Sequence, residues 1–268
     1  YVFAFMGFGV KAAVVPLCGW LPKASVAPTP VTALLHAVAV VKSGAFAIIR
    51  VTFYSYGADN IRGTVVQYIV MAVALCTILY GSSMAVKETH IKRRLAYSTI
   101  SNLSYVLFGV TLMTPLGMGA ALSHLIIHAF MKIVLFFGAG AIMEYSEQEY
   151  IPRLVGIGKK MPFTMTCFAI SSLAVIGIPP FAGFISKWRL MTSAVETENI
   201  LAYIGAGVLI ISAVLTAIYL LTFVVRGFWP ERGYNEEDVK VAKDPGWRMK
   251  LPLLILTVAV LALGLCFN

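Results

Sequence analysis

The chain has 268 residues, 59% of them hydrophobic and only 12% charged, with 21 Lys and Arg against 12 Asp and Glu and a net charge of +9. A soluble domain carries roughly 25% charged residues, so a globule of this size would lack the polar cover that water requires; the mean hydropathy of +0.86 points to lipid instead. The excess positive charge does not read as a nucleic-acid footprint, because the bases sit between apolar runs and not along one face.

In chain order, the pattern predicts eight apolar segments, each near the ~20 residues that a bilayer span needs. The first, A, covers residues 1–17 and is apolar except for Lys11. Residues 18–30 hold Pro22, Pro28 and Pro30, which predicts no regular helix there. Segment B follows from Pro30 to about residue 56 and carries His36, Lys42 and Ser43-Gly44, where a bend or break is expected. Segment C is 65–86, followed by a basic connection at 87–94. Segment D, 95–113, is rich in Ser, Thr and Tyr, and the turn Thr114-Pro115-Leu116-Gly117 leads into E, 118–143. Segment F spans 162–194, but Gly177-Ile178-Pro179-Pro180 must interrupt it, since two prolines remove donors and free carbonyls. Inside a membrane such a gap is tolerated only where protein or a water-filled cavity covers it. Segment G is 200–225, then a long charged connection from 226 to 250, then H from 251. No run shows the alternation of a strand. Cys18, Cys76, Cys167 and Cys266 have no paired spacing and read as small buried hydrophobes, not as a metal or disulfide set. Both ends look cut: the chain opens at Tyr1 within an apolar run with no signal-peptide pattern, and it closes 18 residues into segment H. The expectation is the C-terminal part of a longer protein.

If A to H cross alternately, one side receives 14 Lys and Arg and the other 3, with Lys11, Lys42, Lys132 and Lys187 left inside segments. That asymmetry is a strong positive-inside signal. It places the connections after A, C, E and G on the cytoplasmic side.

The four intramembrane lysines carry the functional signal. A charge at a helix centre costs about 2.5–3.5 kcal/mol on insertion scales, so such residues should face the bundle interior. His124, His128 and Lys132 recur every fourth residue on one helix face and climb about 12 Å. Histidines packed against neighbouring helices, or a zinc pair at i, i+4, are the alternatives, but no Glu sits beside His124 and no third ligand is near. His36 and Lys42 would point about 120° apart on a straight helix, so they share a path only if the helix is irregular near Ser43-Gly44 or if separate neighbours connect them. Lysines balanced between desolvation and a nearby carboxylate, relayed by imidazoles, are the parts of a proton path. No acid lies within any segment, and Glu144 stands only at the end of E. A partner acid is therefore expected from upstream sequence or a neighbouring subunit.

Four motifs in order resemble the antiporter-like subunits shared by respiratory complex I, Mrp-type Na⁺/H⁺ antiporters and membrane-bound hydrogenases. They are Lys11 followed by GWLPKASVAPTPVTALLHA (19–37), RRLAYSTISNLSY (93–105), HLIIHAFMKIVLFF (124–137) and GIPPFAGFISKW (177–188). The resemblance implies an all-α polytopic transmembrane bundle built from inverted repeats of five helices with one discontinuous helix each. Residues 1–113 would end the first repeat and start the second, and 114–268 would supply the rest with the C-terminal helices. It further implies Lys11 as the central base on the first repeat's broken helix, with its glutamate partner upstream of Tyr1. His36 and Lys42 would connect the repeats, Lys132 with His124 and His128 would form the second repeat's centre, and Lys187 would be the terminal ionisable group beyond the Pro179-Pro180 break. Lys23 stands where many members carry Asp. The cluster VAVVKSGAFAIIR (38–50) is closer to hydrogenase-type and Mrp-type members than to quinone-type ones.

These readings predict a non-catalytic, proton-translocating subunit of a redox-driven complex in a prokaryotic cell membrane. Its expected partners are other membrane subunits, a peripheral redox arm and the lipid bilayer. No cofactor, metal or nucleic acid is expected. An Mrp-type Na⁺/H⁺ antiporter subunit is the alternative. A non-pumping scaffold and an enzyme with its own active site are weaker rivals, the latter for want of a nucleophile–base pair or metal set.

Overall fold

The structure is a computed structural model that describes residues 1–230 and 243–266, the last of these by its backbone alone. Much of the charged connection from 226 to 250, including Arg232 and Lys240, and the side chain of Cys266 lie outside the described residues. Among the described residues there are nine main helices: α1 Val2–Ala12, α2 Val40–Arg50, α3 Val65–Lys87, α4 Ile91–Thr111, α5 Pro115–Ser146, α6 Pro162–Ile176, α7 Ala182–Val195, α8 Ile200–Phe228 and α9 Trp247–Cys266. Among the described residues there is no strand, and β-type pairing is confined to an isolated bridge between His90 and Tyr150.

Among the described residues, six helical runs are long and apolar enough to cross a membrane: Val2–Val26, Thr29–Tyr56, α3, α5, α8 and Trp247–Leu265. The other two segments of the eight fall short for identifiable reasons. Helix α4 carries Ser98, Thr99, Ser101, Asn102 and Ser104, yet all are fully buried, so it is enclosed by helices and needs no lipid-compatible surface. Segment F divides at the Pro179-Pro180 link into α6 and α7, as two prolines require.

Two expectations need correction. Residues 18–30 are not irregular throughout: three short turns, Leu17–Gly19, Trp20–Lys23 and Ala24–Val26, continue the path of α1 after a break at residues 13–16. Pro22 fits because it stands in the first turn of its own short helix, where its missing N–H is no loss. In segment B the irregularity falls earlier than Ser43-Gly44. Leu34–Val38 is a π turn ending in a bend at Ala39, and a second π turn covers Val51–Tyr56. Gly44 serves packing instead: a Cβ there would lie 2.7 Å from the backbone nitrogen of Ala12 and 2.9 Å from the carbonyl carbon of Lys11. The cysteine reading also fails at one position, since Cys18 and Cys167 are buried but Cys76 is exposed.

The alternation of segments is visible in long-range contacts. At one end, Lys92 Nζ donates to Ala27 O at 3.0 Å, Ile91 N to Glu149 O at 3.0 Å, and Gly156 N to Arg226 O at 3.0 Å. These contacts join the connections that carry the 14 bases. At the other end, Gln67 Nε2 donates to Thr111 O at 2.8 Å. On the basic end, Asp244 caps α6: its carboxylate accepts from Phe163 N (3.0 Å), Thr164 N (3.1 Å) and the Thr164 hydroxyl (2.9 Å). This satisfies orphan donors of the first turn and favours the positive end of the helix dipole. Asp244→Ala should cost about 1–2 kcal/mol. Thermal unfolding in detergent checks it, and an unchanged midpoint would mean that the cap contributes nothing.

Helix α5 is the central post. It touches α4, α6, α7, α9 and the Thr29–Val38 turns. Its wide apolar surface supplies Ile127, Met131, Val134, Leu135, Phe136, Ala139 and Ile142 to one of two apolar clusters, while its outer end joins the second with α1 to α4. The ladder of His124, His128 and Lys132 is thus carried at the centre of the bundle.

Candidate functional site: a buried polar axis

His36, His124, His128 and Lys132 are fully enclosed, and Lys42 and Lys187 nearly so, at 7% and 6% exposure. Lys11 departs from expectation. Its backbone is covered by α2 at Gly44, but its side chain lies on the exposed face of the chain, beside exposed Phe8 and Val10. What would face it is not among the described residues.

The axis starts near the basic end with His36. Ser25 Oγ lies 3.3 Å from its Nε2, and its ring stacks on Phe136 at 4.9 Å and 27°. The π turn holding His36 takes an extra residue per turn and so shifts the phase of the helix before Lys42. This is the irregularity that the six-residue spacing demanded, and it leaves both residues buried on the inner side. Lys132 comes next. Its Nζ donates to Ser98 Oγ at 2.6 Å and to Leu95 O at 3.3 Å, both on α4. On the same face of α5, the His128 and His124 rings stack 6.0 Å apart at 23°. Lys42, on α2, is also buried, at 7% exposure, and its Nζ has no protein partner among the described residues. His124 Nδ1 then meets Ser186 Oγ on α7 at 2.9 Å, one residue from Lys187.

Lys187 shows why the helix break belongs to the site. Its Nζ donates to Val175 O at 2.7 Å and Ile176 O at 3.0 Å. In a continuous helix these two carbonyls would accept from residues 179 and 180. Both are prolines and have no N–H. The lysine ammonium occupies the place of the missing donors, at the negative end of α6. Gly177, at φ +89°, turns the chain out of α6. The Lys187 ammonium also sits 5.2 Å from the centre of the Tyr105 ring.

Seven buried polar atoms have no protein hydrogen-bond partner among the described residues: His36 Nδ1, Lys42 Nζ, Asn102 Oδ1, Ser104 Oγ, His124 Nε2 and both ring nitrogens of His128. Each such group costs about 1–3 kcal/mol when left bare. Five of the seven belong to the lysines and histidines singled out from the sequence. A cavity lies toward each end of the axis. One of about 510 Å³ on the basic side is lined by Thr29, Lys92, Gly140, Glu144 and Glu149. Another, of about 300 Å³ on the opposite side, is lined by Ser123, Arg189, Ser193 and Glu196. No cluster of three metal-type ligands comes together among the described residues.

Residues that the sequence reading passed over complete the axis. Ser98, Tyr105, Ser186, Ser212 and Tyr219 all hydrogen-bond within it. One signal was present: Ser98, Ser101, Asn102 and Tyr105 recur at helical spacing along α4, a polar stripe inside an apolar protein.

Comparisons with known proteins show what the chain as a whole is similar to. Residues 1–219 match the family described as NADH:quinone oxidoreductase/Mrp antiporter, TM. The chain is similar to NADH-quinone oxidoreductase subunit N of Desulforudis audaxviator, with 35% identity over 100% of this chain and 54% of the relative. Among solved structures it is similar to a chain of the Mrp complex from Dietzia sp., with a TM-score of 0.87, 27% identity, and coverage of 97% of this chain and 55% of that one. It is likewise similar to a chain of respiratory complex I from Thermus thermophilus, with a TM-score of 0.81, 26% identity, and coverage of 97% and 53%. The chain spans about half the length of these proteins. With most of its length matched by the family and a curated relative aligned over all of it, the chain belongs to the NADH:quinone oxidoreductase/Mrp antiporter transmembrane family.

Proposed function

We propose that this chain is the proton-translocating part of an antiporter-like subunit, working with other membrane subunits and a redox arm in a prokaryotic cytoplasmic membrane. One observation carries the reading. Six lysine and histidine side chains, His36, Lys42, Lys132, His128, His124 and Lys187, lie buried inside the bundle, three of them on one face of α5, with a cavity toward each end of that helix. A membrane interior does not hold so many titratable groups for stability alone. Imidazoles with unpartnered nitrogens can take and give protons, and lysines at their ends can store them. Bridging water suits the polar atoms that lack protein partners. Lys11, on the exposed face, would meet its acidic partner on a preceding or neighbouring helix, and residues 1–113 and 114–268 would divide between two inverted repeats.

The test is proton uptake by liposomes bearing the intact complex, driven by an imposed valinomycin–K⁺ potential and read with internal pyranine. Lys132→Ala should abolish uptake while the complex still assembles. Undiminished uptake in an assembled Lys132→Ala complex would favour a scaffold role. The likeness to the Mrp complex supports a second reading, Na⁺/H⁺ exchange without a redox partner. Redox subunits that co-purify with the chain would decide against it.

A further inference from the structure

The imidazole ladder is not the only polar connection between Lys132 and the far end of the axis. Ser98 Oγ accepts from Lys132 Nζ at 2.6 Å and from the Tyr219 hydroxyl, also at 2.6 Å. The Tyr219 hydroxyl stands 3.4 Å from Thr216 Oγ1. One turn further along α8 is Ser212, whose hydroxyl accepts from Tyr105 at 2.7 Å and pairs closely with Ser82 on α3. Ser212, Thr216 and Tyr219 share one face of α8 at i, i+4 and i+7, and all are at most 1% exposed. The Tyr105 ring lies beside the far end of the other route, 5.5 Å from the His124 ring and 5.2 Å from Lys187 Nζ. Hydroxyls thus run from Lys132 to the neighbourhood of Lys187, with one gap between Thr216, whose hydroxyl donates to Ser212 O at 2.7 Å, and the Ser212 hydroxyl, and with only the Tyr105 ring beside a ladder imidazole.

We propose that α8 carries a second proton route, from Lys132 through Ser98, Tyr219 and Thr216 to the Ser212–Tyr105–Ser82 hydroxyls, parallel to the His128–His124 ladder. The proposal rests on the translocation reading above and names residues that the ladder does not contain.

Hydroxyls suit this task because each is both donor and acceptor and can reverse by rotating. When Lys132 is an ammonium it donates to Ser98, as the structure shows. When Lys132 is a neutral amine its lone pair is free and the bond reverses. The Ser98 O–H then breaks as a new N–H forms on Lys132. In the same motion Ser98 takes the Tyr219 proton, and Tyr219 takes the Thr216 proton. Thr216 is refilled from the Ser212 side, one helical turn or about 6 Å away along the axis, a step that one bridging water spans. One proton enters at the Ser212 end and one arrives on Lys132, and every hydroxyl is restored. Running the sequence backwards empties Lys132.

Two routes in parallel have a kinetic signature that a single file lacks. In a single file, losses at separate steps multiply. In parallel, closing one route leaves the other, and closing both costs far more than the product of the single losses, the non-additivity expected of coupled sites. His128→Gln closes the ladder, because an amide neither gains nor loses a proton. Tyr219→Phe closes the α8 route by removing only a hydroxyl. In the liposome assay each single variant should slow uptake by on the order of twofold, and the double variant by at least about tenfold, which corresponds to 1.36 kcal/mol of barrier. In the His128→Gln background, Ser98→Ala should also be slow and Ser98→Thr should restore the rate, since threonine keeps the hydroxyl; a purely structural role for Ser98 would not follow the hydroxyl in this way. Tyr219→Phe that is silent in the His128→Gln background, in complexes that assemble normally, overturns the second route. Lys132→Ala in the same assay separates the two levels. Uptake that survives it refutes the site as a whole. Uptake lost in Lys132→Ala but indifferent to the Ser98 and Tyr219 variants refutes the α8 route alone.

Discussion

Alanine at position 183 should separate α7 from α6 and disable the site together with the fold around it. A Cβ on Gly183 would lie 1.8 Å from Ala174 O and 2.9 Å from Ala174 C. These are backbone atoms of α6, not the tip of a side chain that could swing away. An ordinary carbon–oxygen contact needs about 3.3 Å, so α7 would have to retreat by roughly 1.5 Å. Lys187 lies one turn further along the same helix, and its bonds of 2.7 and 3.0 Å to Val175 O and Ile176 O would open past hydrogen-bonding distance. We expect Gly183→Ala to cost about 3 kcal/mol, the upper end of the range for overpacking, and to remove proton uptake. Thermal unfolding of the complex in detergent and the pyranine assay measure the two effects. A wild-type melting curve with native uptake would show that the helix crossing has slack the geometry does not reveal.

Lys132→Met should separate stability from function, with the largest functional loss of any single change. The ammonium is wholly enclosed, and burying an ion costs several kcal/mol even after relaxation. Its two hydrogen bonds offset part of that, at about 1 kcal/mol each. Neither acceptor is stranded when the lysine goes: Ser98 Oγ keeps the Tyr219 hydroxyl, and Leu95 O keeps the Thr99 hydroxyl at 2.9 Å. Methionine fills a similar volume with adaptable, apolar atoms. The desolvation cost is the larger quantity, so the variant should be as stable as the native protein or more stable by about 1–4 kcal/mol, as when buried ions give way to apolar residues. Proton uptake should be lost altogether. A variant that melts lower and still takes up protons would show that Lys132 is a packing residue.

Much of this architecture was legible before any coordinates. The His124–His128–Lys132 ladder could be placed on one face because helical period alone decides it, and its burial follows from the cost of leaving charge in lipid. The break at Pro179-Pro180 was legible for the same reason that Lys187 sits where it does: two missing N–H groups leave two carbonyls to satisfy. The irregularity between His36 and Lys42 could be demanded from their spacing but not located, because Leu34–Val38 holds neither Pro nor Gly. Its position is set by tertiary fit, with His36 held between Ser25 and Phe136. The Ser98–Tyr219 bond joins residues 121 positions apart, and no local pattern pairs them. Lys11 defies the rule that a mid-segment lysine faces the interior, because α2 meets its backbone and leaves the side chain outward. Cys76 was misplaced because a small thiol suits a lipid-facing helix surface as well as a core.

Gly264 of α9 presses against the chain between α6 and α7. A Cβ there would stand 2.6 Å from Pro180 O, 2.8 Å from Ala182 N and 3.0 Å from Phe181 Cα. With Gly183 seated on Ala174 from the other side, main chain bears on main chain at two points around one short link. Such a joint resists bending, because any swing of α7 must first lift α9 or crush a carbonyl. The discontinuity in this helix is therefore a rigid elbow, not a hinge. On the translocation reading proposed above, proton traffic past it would be governed by rotating side chains and rearranging solvent, with the surrounding scaffold holding still.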